Sequence, residues 1–231
     1  MMKFMFDCDD TLYDCQWPFK MAVKEILPEL YCDDLSDFYH LYRKKGDEMF
    51  DQVQDGTLDP FTAGILRIEN TLKAMNLSIS KSQAENFQKV YKEYQYKIHM
   101  DLALKNYLMK ENYEYAILTN GENQHQRNKC HSLSVCDFVD EKNIFTSSQI
   151  GFAKPDIRAF QFVLDQMNEK YEDWYYIGDN YVNDMEGAKK AGMKTIHFNR
   201  HKNIEGPCSD FVVYNEYELI QLMEDLKHFN L

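Results

Sequence analysis

The chain opens on a short apolar run, residues 2–6 (MKFMF), that ends abruptly in acids, the pattern of a buried strand. Residues 16–98 then place apolar positions at helical spacing almost throughout. One such stretch covers 19–27 and stops before Pro28, and a second covers 35–53. Pro60 sits near a helix start, with Phe61, Ile65, Leu66 and Ile68 following at helical spacing. A fourth stretch runs from Ser80 to about 98, opened by a Ser-x-x-Gln capping pattern at Ser80 and Gln83. From residue 99 the period alternates. Strand patterns at 115–119, 143–145, 174–177, 195–198 and 211–213 lie among helical patterns near 101–110, 123–132, 156–167, 181–191 and 216–228. Strands alternating with helices mean βαβ units and a parallel sheet. The expected architecture is α/β: a Rossmann-like parallel sheet core flanked by helices, made by 1–15 and 99–231, with an α-helical insert at 16–98 after the first strand.

Composition narrows the function classes. With 231 residues, 44% hydrophobic and 28% charged, the chain can bury a core and is not of disordered composition. Its 26 basic and 38 acidic residues give a net charge of −12, which argues against a nucleic acid polymer as partner, because such binding runs on Lys and Arg. The insert is nearly balanced, so the acid excess lies in the α/β part. No apolar run approaches the roughly 20 residues of a membrane span, and the first apolar stretch meets Asp7 too early for a signal peptide. None of the six cysteines forms a C-x-x-C pair, against a zinc ribbon or a thioredoxin-like redox site. A reduced, cytoplasmic protein without a membrane partner is the expectation. The 16 Tyr, 15 Phe and 2 Trp point to aromatic-rich helices or a pocket and decide nothing alone.

In open parallel sheets ligands bind beyond the carboxyl ends of the strands. After the first strand comes Asp7-Cys8-Asp9-Asp10-Thr11, where side chains two apart can face one site. Two carboxylates there can divide the work of nucleophile or metal ligand and general acid/base, and they suit Mg²⁺. An acidic surface turn with helix-capping Asp and Thr is the alternative. After 115–118 comes Thr119-Asn120-Gly121: a hydroxyl, then amides where a helix should begin, a natural anion site. The alternative is an Asn-Gly hairpin, but a helix-like run comes next rather than a strand. Lys154-Pro155-Asp156 precedes another helix, with Pro155 at its start. Lys154 is either a point charge for a phosphoryl oxygen or a solvated surface lysine. After 174–177 comes Gly178-Asp179, with Asp184 early in the next helix. These acids can gather on a metal or merely cap the helix.

The order of these four clusters resembles the haloacid dehalogenase superfamily. Its D-x-D-x-T motif matches Asp7, Asp9 and Thr11. Its second motif, a hydrophobic strand ending in Thr or Ser, matches Ile117-Leu118-Thr119-Asn120-Gly121. Lys154 stands in the family's Lys-Pro-Asp setting, and Gly178, Asp179 and Asp184 match its acidic fourth motif. The resemblance implies that Asp7 attacks phosphorus to form an aspartyl-phosphate. Asp9 would protonate the leaving oxygen and then activate water. Thr119 and Asn120 would hold the phosphoryl oxygens, with Lys154 balancing charge. Mg²⁺ would be held by Asp7, the Asp9 main-chain carbonyl and Asp179, with Asp184 in support.

Relatives that cleave carbon–halogen bonds lack the second aspartate, so the presence of Asp9 implies phosphate chemistry. The insert resembles the helical cap of phosphatases acting on nucleoside monophosphates, sugar phosphates or phosphoglycolate, and 14–17 and 198–200 loosely resemble 5′-nucleotidase-like members. Specificity residues are expected near 13–19 and at Tyr39, Tyr42 and Phe50, although each of these aromatics can equally be helix packing. The resemblance implies a small phosphorylated metabolite as partner and a monomer or weak homodimer. A sugar phosphomutase is the alternative within the superfamily. A receiver-like phosphoacceptor switch is a third reading, disfavoured because the acids and the nucleophile share one strand end and a long insert comes after them. Cys8, between the two aspartates, reads as a small buried filler rather than a reactive thiol.

Overall fold

The computed structural model describes residues 1–229. The chain begins with β1 (Lys3–Phe6), then leaves the sheet for five helices: α1 (Gln16–Ile26), α2 (Ser36–Asp47), α3 (Phe50–Gln54), α4 (Pro60–Ala74) and α5 (Lys81–Gln95). It returns through α6 (Leu102–Lys110) to β2 (Glu114–Thr119), α7 (Asn123–Ser132), β3 (Ile144–Thr146), the single turn α8 (Ser147–Ile150), α9 (Ile157–Met167) and β4 (Trp174–Gly178). A π-helical turn (Tyr181–Glu186) runs into α10 (Gly187–Lys190), and β5 (Lys194–Phe198), β6 (Phe211–Val213) and α11 (Glu216–Phe229) complete the chain order. The chain divides into two compact units, Met1–Asp14 with His99–Leu231, and Cys15–Ile98.

In the first unit all six strands are parallel, in the order β3-β2-β1-β4-β5-β6. Parallel strands buried on both faces need continuous apolar runs. β4, Trp-Tyr-Tyr-Ile-Gly, is buried at every position, as are Phe4, Met5 and Phe6 of β1. The core on one face joins Met5, Leu118, Phe160, Tyr176 and Met185, with the Phe160 and Tyr176 rings 5.1 Å apart and steeply inclined. The chain winds outward from β1 to β2 and β3, then crosses to place β4 on the other side of β1. That reversal is the topological switch point where such sheets bind ligands. Phe6 stands opposite both Ile117 and Ile177. Asp7 therefore leaves the sheet level with Leu118 and Gly178, and Thr119 and Asp179 emerge one residue further on.

The second unit is helical, and its core is aromatic. Phe19 of α1 meets Phe38 and Tyr42 of α2 at 4.9 and 4.8 Å and Phe87 of α5 at 6.0 Å. Tyr39 and Tyr42 are buried in this packing, whereas Phe50 is half exposed. Asp59 caps α4 through the Thr62 amide, and Ser80 and Gln83 form the expected capping box on α5.

Three local expectations are corrected. The stretch 35–53 is two helices, α2 and α3, because the apolar period continues across a break at Glu48 and Met49, just after Gly46, a poor helix former in the last turn of α2. Pro155 lies outside α9, whose cap is Asp156, accepting from the Arg158 amide. The stretch 181–191 is not one α-helix: the Asn180 carbonyl accepts from both Asp184 and Met185, which widens the first turn.

Candidate active site

Asp7 continues the β1 ladder by one residue, its amide donating to the Ile177 carbonyl at 2.8 Å. Its carboxylate Oδ1 lies 2.8 Å from Lys154 Nζ. Lys154 is not a surface lysine: only 5% of it is exposed. Its backbone is gripped at both ends by the Asn120 carboxamide, which donates to the Lys154 carbonyl and accepts from the Lys154 amide, each at 2.9 Å. Its ammonium reaches Asp7, Asp184 Oδ1 at 2.7 Å and Tyr176 Oη at 2.7 Å, so all three donors are used. Tyr176 Oη in turn donates to the Leu118 carbonyl at 2.9 Å. Burial works against the Lys154 charge, but Asp184 and Asp7 hold its pKa well above the ordinary lysine value.

Burial pushes Asp7 up. Lys154 pulls it back, Asp184 and Asp9 push it up again, and the balance is about 6. Asp7 Oδ2 accepts no hydrogen bond from any described residue. Asp9 is the opposite case. Its Oδ1 accepts from Lys129 Nζ at 2.8 Å and Tyr13 Oη at 2.5 Å, and its Oδ2 from Lys129 Nζ at 2.9 Å and Gln126 Nε2 at 3.1 Å. Burial would raise it, but these donors, led by the Lys129 ammonium, hold it well below the usual carboxylate range. Strand alternation does not set the direction of Asp9, although its charge still acts on Asp7. The strand ends at Phe6, Asp10 turns the chain with φ of +56°, and the Asp9 carboxylate lies against α7.

Asp7, Asp179 and Asp184 each bring a carboxylate oxygen within 4.8 Å of the others. His197, fully buried at the end of β5, hydrogen-bonds the Asp179 carbonyl at 2.9 Å through Nε2 and so fixes the loop after β4. Both Asp184 oxygens are already engaged, one by Lys154 and one by the Asn180 amide at 2.9 Å, which suits a supporting role. Three carboxylates face one lysine here, an excess of negative charge carried on hard oxygen donors. The residues present fit a small divalent cation.

Thr119 ends β2 in register with Thr146, and its side chain makes no hydrogen bond to a described residue. The amides at the start of the following helix are already engaged. α7 begins at Asn123, and its first free amides, those of Gln124 and His125, already bind the Glu122 carboxylate. Asn120 positions Lys154, and the Gly121 amide donates to Ser147 Oγ at 2.9 Å. Cys8 is fully buried, its thiol pushed up chiefly by a hydrogen bond with Cys130 and then by burial, consistent with an inert filler.

Sequence reasoning missed Tyr176, Lys129 and Gln126, and it marked Tyr13 only as the start of a stretch expected to set specificity. For Tyr176 a signal existed, since a tyrosine within a fully buried strand must find a partner for its hydroxyl. For Lys129 no local signal marks a pairing with a carboxylate 120 residues earlier.

The chain is similar to known proteins over nearly its whole length. The glyceraldehyde 3-phosphate phosphatase of Methanocaldococcus jannaschii is 26% identical over an alignment of 242 residues, covering 96% of this chain and 97% of that protein. The magnesium-bound structure of the putative HAD-hydrolase YfnB from Bacillus subtilis superposes with a TM-score of 0.69 at 20% identity, over 96% of this chain and 98% of that one. A dehalogenase solved as an intermediate complex superposes at 0.72, also at 20% identity, covering 96% of each chain. The last two share the fold. The family model described as haloacid dehalogenase-like hydrolase matches residues 4–198, from β1 to the end of β5, and the chain belongs to that family.

Proposed function

We propose that this protein is a Mg²⁺-dependent phosphatase of a small phosphorylated metabolite, working through a phosphoryl group held covalently on Asp7. The observation that carries the reading is the Asp7 carboxylate: one oxygen is tied to buried Lys154, the other is unbonded, and Asp179 and Asp184 stand within 4.8 Å. A nucleophile needs an unshared oxygen at a fixed position, and Asp7 has one. Asp7 Oδ2 attacks phosphorus as the bond to the leaving oxygen breaks, and Asp9 gives that oxygen a proton. Asp9 then takes a proton from water, whose oxygen bonds to phosphorus while the bond to Asp7 breaks, releasing phosphate. Lys154 offsets the charge of the phosphoryl oxygens, and the Thr119 hydroxyl is free to donate to one of them. Mg²⁺, held by Asp7 and Asp179 with Asp184 behind, supplies the positive charge that lets a dianion approach these acids.

Two facts favour phosphate over halide chemistry. Asp9 is present, and a relative matched over nearly its whole length is named for glyceraldehyde 3-phosphate. A short phosphorylated carbohydrate is the favoured substrate class. The test is phosphate release from glyceraldehyde 3-phosphate, sugar phosphates, nucleoside monophosphates and phosphoglycolate with Mg²⁺, beside Asp7→Asn and EDTA controls. Selective release, lost in the variant and in EDTA, supports the reading. Isomer formation without release would point to a mutase, and release unaffected by Asp7→Asn would remove the mechanism.

A further inference from the structure

The helical unit holds a partly buried cation with no acid paired to it among the described residues. Arg67 of α4 makes no ion pair and no hydrogen bond from its guanidinium of good geometry to any described residue, and its Nε is sealed from solvent. The guanidinium lies over the Tyr42 ring, 4.9 Å from its centroid. Tyr42 is fully buried, and its hydroxyl makes no hydrogen bond of good geometry, the Arg67 guanidinium being the group beside it. Gln88 of α5, 5% exposed, has an unpartnered carboxamide oxygen. It packs where α4 carries Gly64, one turn before Arg67. Tyr91, one turn after Gln88, places its ring 5.6 Å from that of Tyr42.

Two features show that this arrangement is built rather than incidental. An uncompensated buried polar group costs about 1–3 kcal/mol, and more when it is charged. Three such groups on three helices, Tyr42, Arg67 and Gln88, meet in one small bundle. The bundle also gives up helix stability to admit them. A Cβ on Gly46 would lie 2.4 Å from the Arg67 guanidinium, and one on Gly64 would lie 2.1 Å from the Gln88 carboxamide. Glycine inside a helix is worth about 0.5–1 kcal/mol less than alanine. Aromatic packing alone needs neither the glycines nor the charge.

We propose that α2, α4 and α5 form an oxyanion-binding site, with Arg67 supplying the charge and the planar fork, the Tyr42 hydroxyl a further donor, and Gln88 a carboxamide that can accept from or donate to the ligand. The fork matches a carboxylate best and a phosphate next. This site lies in the helical unit, and its existence does not depend on the phosphatase reading.

The test is calorimetric titration of the whole protein with malonate and with inorganic phosphate, in EDTA so that the Asp7 cluster holds no metal. Wild type binds malonate saturably, Arg67→Met weakens it about tenfold or more, and Arg67→Lys recovers only part, because a point charge lacks the fork. Tyr42→Phe weakens binding a few-fold. Melting temperature supplies a second readout. Removing a partly buried charge with no acid paired to it leaves Arg67→Met as stable as wild type or more so, as expected of a residue kept for a ligand. Should Arg67→Met not fold, the Arg67→Lys and Tyr42→Phe titrations decide. Absence of saturable binding to wild type, or equal binding by wild type and the Arg67 variants, overturns the proposal. Turnover separates the two sources of the oxyanion. An Arg67 effect on KM confined to phosphorylated carboxylic acids identifies the substrate's own carboxylate. An effect of malonate on turnover of carboxylate-free substrates identifies a separate metabolite.

Discussion

Replacing Asp7 by asparagine should stabilise the metal-free protein, and the gain should grow with pH. Asp7 sits at about 6 in the folded chain against an ordinary 3.8, because burial outweighs Lys154. A carboxyl whose folded pKa is raised favours the fold most when protonated. Its contribution is complete below about pH 4 and is lost as pH rises through 6. A difference of about two units corresponds to about 3 kcal/mol, an upper figure for what ionised Asp7 costs at pH 8. Asparagine resembles the protonated acid and does not titrate, so it escapes this loss. Lys154 keeps Asp184 and Tyr176 as partners in the variant. For a chain of this size, about 3 kcal/mol is on the order of 6–12 °C in Tm. The assay is calorimetric melting of wild type and Asp7→Asn in EDTA at pH 4, 6 and 8. The Tm difference should widen by several degrees across that range. Added Mg²⁺ at pH 8 should raise wild type and leave the variant nearly unmoved. A difference that stays constant with pH, or narrows as pH rises, would refute the claim that burial dominates at Asp7.

Other perturbations probe the neighbouring groups. Asp9→Asn should lower turnover of alkyl phosphates by about 10²–10⁴-fold but that of p-nitrophenyl phosphate far less, since a good leaving group needs no proton; equal losses on both would count against an acid role. Gly178→Ala places a Cβ 2.4 Å from Asp184 Oδ2, so it should weaken Mg²⁺ binding at least several-fold in a titration while the far-ultraviolet circular dichroism is unchanged. His201 is lowered by burial but raised more by Asp10, 3.3 Å away, to a net upward shift. That pairing stabilises the fold below about pH 6.5 and is lost as pH climbs through the raised value. His201→Gln should therefore reduce Tm more at pH 5.5 than at pH 8.5.

The fold was legible because a parallel sheet buried on both faces writes itself as short apolar runs, and because chemistry collects where those runs stop. Asp7, Thr119 and Asp179 could be found by reading the residues where each strand stops, and the structure brings them to one edge through the register of Phe6 with Ile117 and Ile177, whereas Lys154 comes after β3 and α8 and is held by Asn120. Local pattern was less informative about side-chain direction. Alternation fails for Asp9 as soon as the strand ends, and a lone lysine in a loop reads as solvated although Lys154 is buried by three partners. Two of the three donors around Asp9 lie on α7, and helical spacing shows that Gln126 and Lys129 share a face without showing what the face meets. The helical insert was readable as helices. Its break after Asp47 was not, and neither was the reason for Gly46 in the turn before it, the Arg67 guanidinium on another helix.

Pairs of carboxyls whose surroundings drive their pKa values apart mark acid/base division in an active site. Here the surroundings taken alone would reverse the proposed roles, since the intended nucleophile, Asp7, is raised and the intended acid, Asp9, is lowered. Oxygen availability decides otherwise. A carboxylate has about four accepting positions, and Asp9 uses four on Lys129, Tyr13 and Gln126. To attack phosphorus it would have to shed a charge-assisted bond and leave Lys129, which is 4% exposed, without its partner. Asp7 needs no such rearrangement, because one of its oxygens is already unbonded. The low pKa of Asp9 therefore measures how firmly the resting clamp holds, and carrying a proton requires Asp9 to loosen one of those four bonds. Tyr13 is the partner that can yield, since a hydroxyl can turn from donor to acceptor and an ammonium cannot. Acid quenching during turnover should thus trap the phosphoryl group on wild type and on Asp9→Asn but not on Asp7→Asn. A phosphoryl group that survives in Asp7→Asn and is lost with Asp9 would show that the electrostatic surroundings, not the free oxygen, choose the nucleophile.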